Sequence, residues 1–324
     1  MPRFVLLFFL IASITLGAQT PPLRLVSTLW PPFTNAPGQP RVALDLVEAA
    51  LGRIGVKSTT TIVEPAQFTK ALLSDDNFDG SGAAWKDAER ERTLLFSDPY
   101  LENRLFLVAR RGGDVSASAL ASLKGKRIAV VEGYSYGEGF DGSGPIVVRS
   151  RSEEDSLKLL LDSKVDYALI DDLVVQHIVA SYPAQVQLRL QVGTVPLLTR
   201  SLHLVLRRSM PNAEATIKEF NAQLRAMIAD RTYHRLLRVD WILADVDGDG
   251  LAEYVPSSDS VGKSEPARAY TVSTESSAGP QGSRRFLIGG TVYDSWTMVP
   301  GQFKVDSPSK DPNRQPIGLF RFTW

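Results

Sequence analysis

An alternating α/β fold, built from two successive units and followed by a β-like extension, is predicted by three observations. Strand-length apolar runs alternate with helically periodic segments, the order of elements before the polar break at residues 110–114 recurs after it, and the texture changes beyond Trp241. Residues 23–29 read as the first strand, and residues 42–54 as a helix with Leu44, Val47, Leu51 and Ile54 on one face. A second strand over 58–63, a helix over 66–73 and a strand over 105–109 lead into Arg110-Arg111-Gly112-Gly113-Asp114. The second unit begins with a strand over 127–131, the turn Glu132-Gly133-Tyr134-Ser135, a helix over 153–161 and a strand over 167–170 that ends on Asp171-Asp172. A strand over 202–206 and one helical stretch over 212–237, with Ile217, Phe220, Leu224, Met227 and Ile228 at helical spacing, complete the core. The Ser/Gly/Pro/Glu-rich run 257–283 reads as a flexible linker, and the tail 284–324 carries aromatics that would build a small β module or pack back on the core.

The 324 residues are 44% hydrophobic and 22% charged, which suits two globular domains and excludes a fibre or a disordered chain. Lys plus Arg and Asp plus Glu are both 36, so no global field draws the chain to nucleic acid or an anionic membrane. Residues 1–18 have the layout of a secretory signal: Arg3, an apolar stretch over 4–14, and small residues ending at Ala18. That stretch is short of the ~20 residues a spanning helix needs, so an exported, soluble, monomeric chain is expected. Cysteine is absent, which removes disulfides, thiolate zinc sites and a lipid-attachment residue together. An exported chain with neither lipid nor membrane helix is retained where a second membrane encloses it, so a periplasmic location is expected.

One arginine stands out. Arg90 lies on a short turn just ahead of the apolar run ending in Phe96-Ser97-Asp98-Pro99-Tyr100. Its planar fork of donors matches a carboxylate bidentately, so it is a candidate anion clamp, although Asp87, Glu89, Glu91 and Arg92 around it would equally suit a surface charge cluster.

The motifs, taken in order, resemble those of the periplasmic solute-binding proteins of the amino-acid-binding family, the receptors of ABC importers, over about residues 22–241. Trp30-Pro31-Pro32-Phe33 is similar to the family's aromatic-x-Pro-Phe turn, Asp45-Leu46 to its first-helix pair, and Glu89-Arg90 through Phe96-Ser97-Asp98-Pro99-Tyr100 to its arginine stretch. Leu123-Lys124-Gly125-Lys126 through Gly133 resembles the second-domain opening, and Val165-Asp166-Tyr167-Ala168 to Asp171 a strand end of that domain. The resemblance implies a type II periplasmic-binding-protein fold, two α/β lobes with two hinge crossings. The first lobe would comprise residues 22–108 and 201–241 and the second 109–200, with ligand binding drawing them together. It further implies that Arg90 grips a ligand carboxylate, helped by Ser135 and the backbone of the Gly133 turn at a helix start. Asp171 would meet the ligand ammonium, and Trp30 and Phe33 would line the cleft. Trp85-Lys86 stands where the family usually has a small hydroxyl residue, so Trp85 would narrow or line the cleft and Lys86 would add an anion contact. The expected partners are a small carboxylate-bearing solute, an amino acid or a relative, and the importer's permease.

Two catalytic readings compete. Gly133-Tyr134-Ser135-Tyr136-Gly137 matches a nucleophile elbow with Asp171 and His177 downstream, but His177 lies only six residues beyond Asp171 on a helical segment. A dehydratase-like enzyme on the same fold, acting on a cyclic carboxylic acid, would need a poised carboxylate, for which Asp87, Glu132 and Asp171 are the candidates. His177, His203 and His234 show no ligand spacing, so no catalytic cofactor is expected. A structural calcium ion is expected in residues 242–256, where Asp245, Asp247, Asp249, the Leu251 carbonyl and Glu253 alternate around glycines as in short calcium loops.

Overall fold

The computed structural model describes residues 21–181, 188–267, 269–272 and 284–306. The expected signal, residues 273–283 of the expected linker, and Phe320, Phe322 and Trp324 lie outside the described residues.

Strand β1 (Leu23–Thr28) lies between β2 (Ser58–Val63) and β3 (Gly80–Trp85), parallel to both. The connecting helices α1 (Val42–Arg53) and α2 (Pro65–Ser74) cover opposite faces, because adjacent strand residues point opposite ways. Leu25 joins the cluster containing Val47 and Leu51 of α1, and Val26 the cluster containing Phe68 and Leu72 of α2. All six residues of β3 are buried, and its Gly-Ser-Gly-Ala-Ala sequence leaves little side chain between sheet and helix. The short helix α3 (Ala88–Thr93) and strand β4 (Leu94–Phe96) follow.

Two long strands then cross between the units. β5 (Leu101–Arg110) runs antiparallel to β9 (Leu190–Arg207), from Leu101 opposite Leu202 to Arg110 opposite Leu190. The end of β9 also pairs with β3 and β4, while β5 pairs from Leu105 onward with β8 (Tyr167–Asp171). Beyond β8 stand β6 (Arg127–Val131) and β7 (Ile146–Ser150), with α4 (Glu153–Leu161) and α5 (Asp172–Ser181) as the second unit's helices. The sheet order is β2-β1-β3-β9-β5-β8-β6-β7, with β4 also on β9. This is a mixed α/β, two-lobed arrangement with two crossings.

Three local expectations are corrected. The stretch 212–237 forms two helices, α6 (Ala213–Ala229) and α7 (Thr232–Leu237), broken where Arg231 takes φ of 66° and the Asp230 carboxylate accepts the Thr232 N–H at 3.0 Å, starting a new helix. No helix starts at the Gly133 turn. The Val131 N–H donates to the Tyr136 hydroxyl at 2.9 Å and folds the chain back, so the next helical turn comes only at Phe140–Gly142.

The run 257–283 is not simply a linker, since β12 (Val261–Gly262) and β13 (Tyr270–Thr271) lie within it. β13 belongs to a five-stranded sheet with β10 (Trp241–Ala244), β11 (Glu253–Pro256), β14 (Arg285–Ile288) and β15 (Thr291–Tyr293), while β12 pairs with β16 (Lys304–Val305). Val261 packs with Phe286, Ile288 and Val299 in a core of the extension's own, whereas Ile242, Tyr270 and Val272 belong to the main core. Isolated apolar anchors thus hold a run whose average composition is polar.

The close packing at β3 gives a testable contrast. A Cβ on Gly80 would lie 1.9 Å from the Val205 carbonyl oxygen, whereas one on Gly52 in α1 meets nothing within 4 Å. Gly80→Ala is expected to cost more than ~3 kcal/mol or abolish folding, and Gly52→Ala to stabilise by about 0.5–1 kcal/mol. Urea melts of both variants measure the difference, and equal midpoints would contradict this packing.

Candidate functional site

Arg90 is set by its own helix start. Asp87 caps α3, with Oδ1 accepting the Arg90 N–H at 2.8 Å and Oδ2 lying 3.3 Å from Nε of the same residue. Nη1 donates to the Trp85 carbonyl at 2.8 Å, and the guanidinium lies over the Phe68 ring at 5.6 Å. Only 4% of Arg90 is exposed. Burial pulls its pKa down, Asp87 and Glu89 oppose this, and the Arg200 cation adds to it. An arginine stays charged under any such shift, so a permanent, oriented cation faces the cleft. Nη2 reaches the Gly133 carbonyl of the opposite lobe at 3.5 Å, longer than a normal N–H···O bond, so one edge of the fork is under-used.

The cavity at Arg90 is narrow. Its walls include Thr28, Trp30, Trp85, Gly133, Tyr134 and Ser135, and its volume is about 30 Å³, room for roughly one water. Aromatic rings occupy the surrounding space: Trp30 meets Phe33 at 4.5 Å, Trp85 at 5.5 Å and Tyr134 at 5.4 Å, and Trp85 meets Tyr136 at 5.6 Å. Arg200, from β9, donates Nε and Nη2 to the Ser135 carbonyl at 3.1 and 2.9 Å. Two arginines therefore converge on the same turn of the second lobe.

Of the residues chosen from the sequence, Trp30, Trp85, Arg90 and Ser135 line this cavity, and Phe33 is buried behind Trp30. Asp171 is not on its wall. It lies 3% exposed beyond Trp85 in a buried chain, with Trp85 Nε1 donating to Asn103 Oδ1 at 2.7 Å and Asn103 Nδ2 donating to Asp171 Oδ2 at 3.1 Å. The Leu173 N–H takes the other carboxylate oxygen at 2.8 Å. Burial, and then the neighbouring Asp172, hold the Asp171 pKa well above the usual carboxylate range. Lys86 pairs with Glu91 at 2.8 Å on the surface, and Arg200 is the second cation of the cleft. Arg200, Tyr134 and Tyr136 carry no local signal in the sequence, because their proximity to Arg90 arises from the crossing of β9 and from the fold-back after β6.

A larger chamber of about 540 Å³ opens on the other side of Trp30. The first lobe contributes Leu29, Pro31 and residues 62–65 and 67, and the second contributes residues 151–154, Val174, His177 and Ile178. Glu153 is the buried ionisable group on its wall, 8% exposed at the first turn of α4, which Ser152 caps by accepting the Asp155 N–H at 3.1 Å. Desolvation pushes its pKa up to about 7, with Glu154 adding to the rise and its own N–H and the Trp30 indole opposing it. That indole N–H approaches Glu153 without hydrogen-bond geometry and is otherwise buried unpartnered. From the sequence Glu153 is an ordinary helix-start acid; its burial comes from the lobe packed over it.

These placements separate the groups that the catalytic readings need together. Ser135 lines the narrow cavity, His177 the outer chamber, and Asp171 neither. Among the dehydratase candidates, Asp87 is used by Arg90, Asp171 by Asn103 and Leu173, and Glu132 is exposed beside a separate surface hollow.

In the extension, Asp245, Asp247 and Glu253 bring carboxylate oxygens within 4.8 Å of one another. Arg285 of β14 lies against this group, with Nη1 at 2.7 Å from Asp249 and 2.8 Å from Glu253, and Nη2 at 3.5 Å from Asp247. Glu253 is fully buried, and burial raises its pKa.

Two lobes joined by crossing strands, with a buried arginine reaching across the cleft, define the class of two-lobed solute-binding proteins. The sequence profile of the bacterial extracellular solute-binding proteins, family 3, matches residues 25–242, and the chain belongs to that family. Its fold is similar to the GluR0 ligand-binding core in complex with L-glutamate, with TM-score 0.57 and 17% identity, covering 68% of this chain and 97% of that one. It is also similar to a substrate-binding protein of an amino-acid ABC transporter, with TM-score 0.53 and 18% identity, covering 67% and 96% of the two chains. A third similar structure is holo ArgBP from T. maritima, with TM-score 0.52 and 23% identity, covering 64% and 89%. At these identities the likeness carries the fold. No curated protein matches the chain.

The buried carboxyl gives a pH prediction. The folded pKa of Glu153 lies near 7, above the ordinary 4.5, so the native state holds this proton more tightly than the unfolded chain. Its contribution is fully present below pH ~4.5 and is lost as pH rises to about 7, up to about 3 kcal/mol at 1.36 kcal/mol per unit. Glu153→Gln is therefore expected to gain stability relative to the wild type across this window and to hold that gain above it. Denaturant melts at pH 5, 6 and 7.5 measure this, and a constant difference would contradict a buried, proton-holding Glu153.

Proposed function

We propose that this chain is an exported, non-catalytic receptor that captures a small carboxylate-bearing solute, an amino acid or a relative, at Arg90 and delivers it to the permease of an ABC importer. The observation that carries the reading is the buried, cap-positioned Arg90, whose under-used donor edge faces a cavity formed by both lobes. A carboxylate there would take over donors now directed at the Gly133 carbonyl and would touch both lobes at once. Such contacts exist only in the closed form, which gives a solute the differential binding energy that closure requires. The glutamate complex of the GluR0 core and the amino-acid transporter assignment of another structural neighbour support an amino acid as the solute. Location outside the cytoplasmic membrane agrees with the family's description as extracellular, and no described helix is long and apolar enough to cross a membrane.

A thermal-shift screen of amino acids and other small carboxylates tests this. A ligand at ~100-fold its dissociation constant adds about 2.7 kcal/mol, a rise of several degrees. Hits are expected to disappear in Arg90→Ala. A response unchanged by that substitution would remove the clamp, and no response to any carboxylate would remove the reading.

We also propose that a structural calcium ion binds loop 245–253. Asp245, Asp247 and Glu253 supply hard oxygen donors at close quarters, and the buried Glu253 Oε1 has only the Arg285 cation at 2.8 Å as its charge partner. Asp249 and the Leu251 carbonyl would complete the set, with calcium taking over charge balance from Arg285. Calcium is expected to raise the melting temperature of the wild type but not of an Asp247→Ala, Asp249→Ala variant. Arg285→Ala should enlarge the response by removing the competing cation. Equal wild-type melting curves with calcium and with chelator would count against the site.

A further inference from the structure

The cavity at Arg90 and the outer chamber differ nearly twentyfold in volume, about 30 against about 540 Å³. The first holds about one water, whereas the second falls in the range of a small-molecule compartment. Trp30 is the partition. It lines the Arg90 cavity, its chain neighbours Leu29 and Pro31 line the chamber, and its indole N–H approaches Glu153 on the chamber wall. Between the two spaces the lobes touch directly: Gly133 lines the first and Pro65 the second, and a Cβ on Gly133 would lie 2.3 Å from the Pro65 carbonyl oxygen. A solute anchored at Arg90 would therefore reach the chamber by displacing the Trp30 indole that separates the two spaces.

We propose that the outer chamber receives the far end of the solute and that this end carries a protonated amine, which Glu153 accepts. This deepens the carboxylate-receptor reading and rests on it. Three features point to a cation. Glu64, Glu153 and Glu154 face the chamber against the single permanent cation Arg151, and His177, whose pKa burial lowers, adds no charge at neutral pH. Glu153 is buried, and among the described residues the groups that act on it are Glu154 and the Trp30 indole, with no Lys or Arg as counter-ion. Trp30 and Tyr134 stand beside it, and aromatic faces are favourable neighbours for an ammonium.

The chemistry is a proton exchange. In the empty protein Glu153 keeps its proton near neutral pH, with its pKa raised to about 7. An arriving ammonium would favour the carboxylate form and release that proton to solvent. The charged and titratable groups facing Glu153 are Glu154 and Arg151 beside it, Tyr134 and Tyr136 from the loop after β6, His177 from α5 and Glu64 from the first lobe. Of these, only His177 has an ordinary pKa between 5.5 and 8, and burial moves it downward, out of the upper part of that window.

The test is titration calorimetry of the full chain at pH 5.5, 6, 7 and 8, in buffers of different ionisation enthalpy. The probes are lysine, arginine, norleucine and hexanoate, which lack the cationic far end (hexanoate lacks the α-amine too), and the carboxylate-free diamine cadaverine. Lysine or arginine is expected to bind, with affinity rising about 30-fold from pH 5.5 to 8 as Glu153 loses its own proton, and with about one proton released at pH 6. Glu153→Gln should weaken this binding at least tenfold at pH 8 and flatten its pH profile. Gln67→Trp, an exposed change at the chamber wall, should weaken the amine-bearing probes while sparing short carboxylates. Norleucine or hexanoate binding that is lost in Arg90→Ala but gains nothing from an amine, shows no pH rise and ignores Glu153→Gln would overturn this inference and leave the carboxylate reading standing. Cadaverine binding as tightly as lysine, insensitive to Arg90→Ala, would overturn the carboxylate reading and leave the amine pocket standing. Binding by none of the probes would overturn the inference.

Discussion

The antiparallel pairing of β5 with β9 is the constraint on which the rest of the molecule depends. It carries the chain from one lobe to the other twice within a single ladder, from Leu101 opposite Leu202 to Arg110 opposite Leu190. Asn103 sits on this ladder, wholly buried, and its two amide ends face different lobes. The Trp85 indole can only donate, so it orients the Asn103 amide oxygen, which leaves the NH₂ to serve Asp171. One side chain at the crossing thus ties the cleft wall of the first lobe to a strand end of the second. In a buried chain of this kind every member must be satisfied, because a single unpaired group costs as much as the chain contributes.

The cleft combines two opposed requirements. Arg90 and Arg200 place cations where both lobes meet, and cations favour water unless an anion replaces it. Trp30, Trp85, Tyr134 and Tyr136 fill that same space and exclude water. The protein meets this by directing the guanidinium donors at carbonyls of Trp85, Gly133 and Ser135, partners weaker than a carboxylate. Closure without solute is therefore supported by neutral acceptors and by ring packing, which leaves the stronger charge-assisted bonds to the solute.

The legible parts of this structure are those governed by periodicity and by local caps. Alternating strands and helices follow from apolar spacing, and the setting of Arg90 follows from Asp87 three residues before it, a cap relation written in the chain itself. What could not be read arises from contacts between distant segments. Arg200 comes under the Gly133 turn because β9 crosses there, and Glu153 is buried where Trp30 of the other lobe and Tyr134 and Tyr136 of its own come beside it. The expected ammonium partner Asp171 is engaged by Asn103, a residue 68 positions away whose role no local pattern shows. The motif thus located a strand end, β8 closing at Asp171, while the partner of that carboxylate, Asn103, comes from the crossing strand. Tyr270 was hidden for a different reason: one anchor within a Ser/Gly/Pro/Glu-rich run is averaged away in any compositional view.

That anchor changes the standing of the whole extension. The Tyr270 hydroxyl donates to the Glu102 carbonyl on β5 at 3.1 Å, one residue before Asn103, and burial, then the nearby Asp171 and Asp172, raise its pKa. Arg104, two positions along, forms an ion pair with Asp172, so backbone, tyrosine, arginine and two carboxylates meet at one edge of the crossing. Ile242, Tyr270 and Val272 share the main apolar cluster rather than forming a core of their own. The β extension is consequently continuous with the main core. It meets the hinge strand through the Tyr270 hydroxyl, and the crossing is held by Tyr270 at Glu102 and by Asn103 between Trp85 and Asp171.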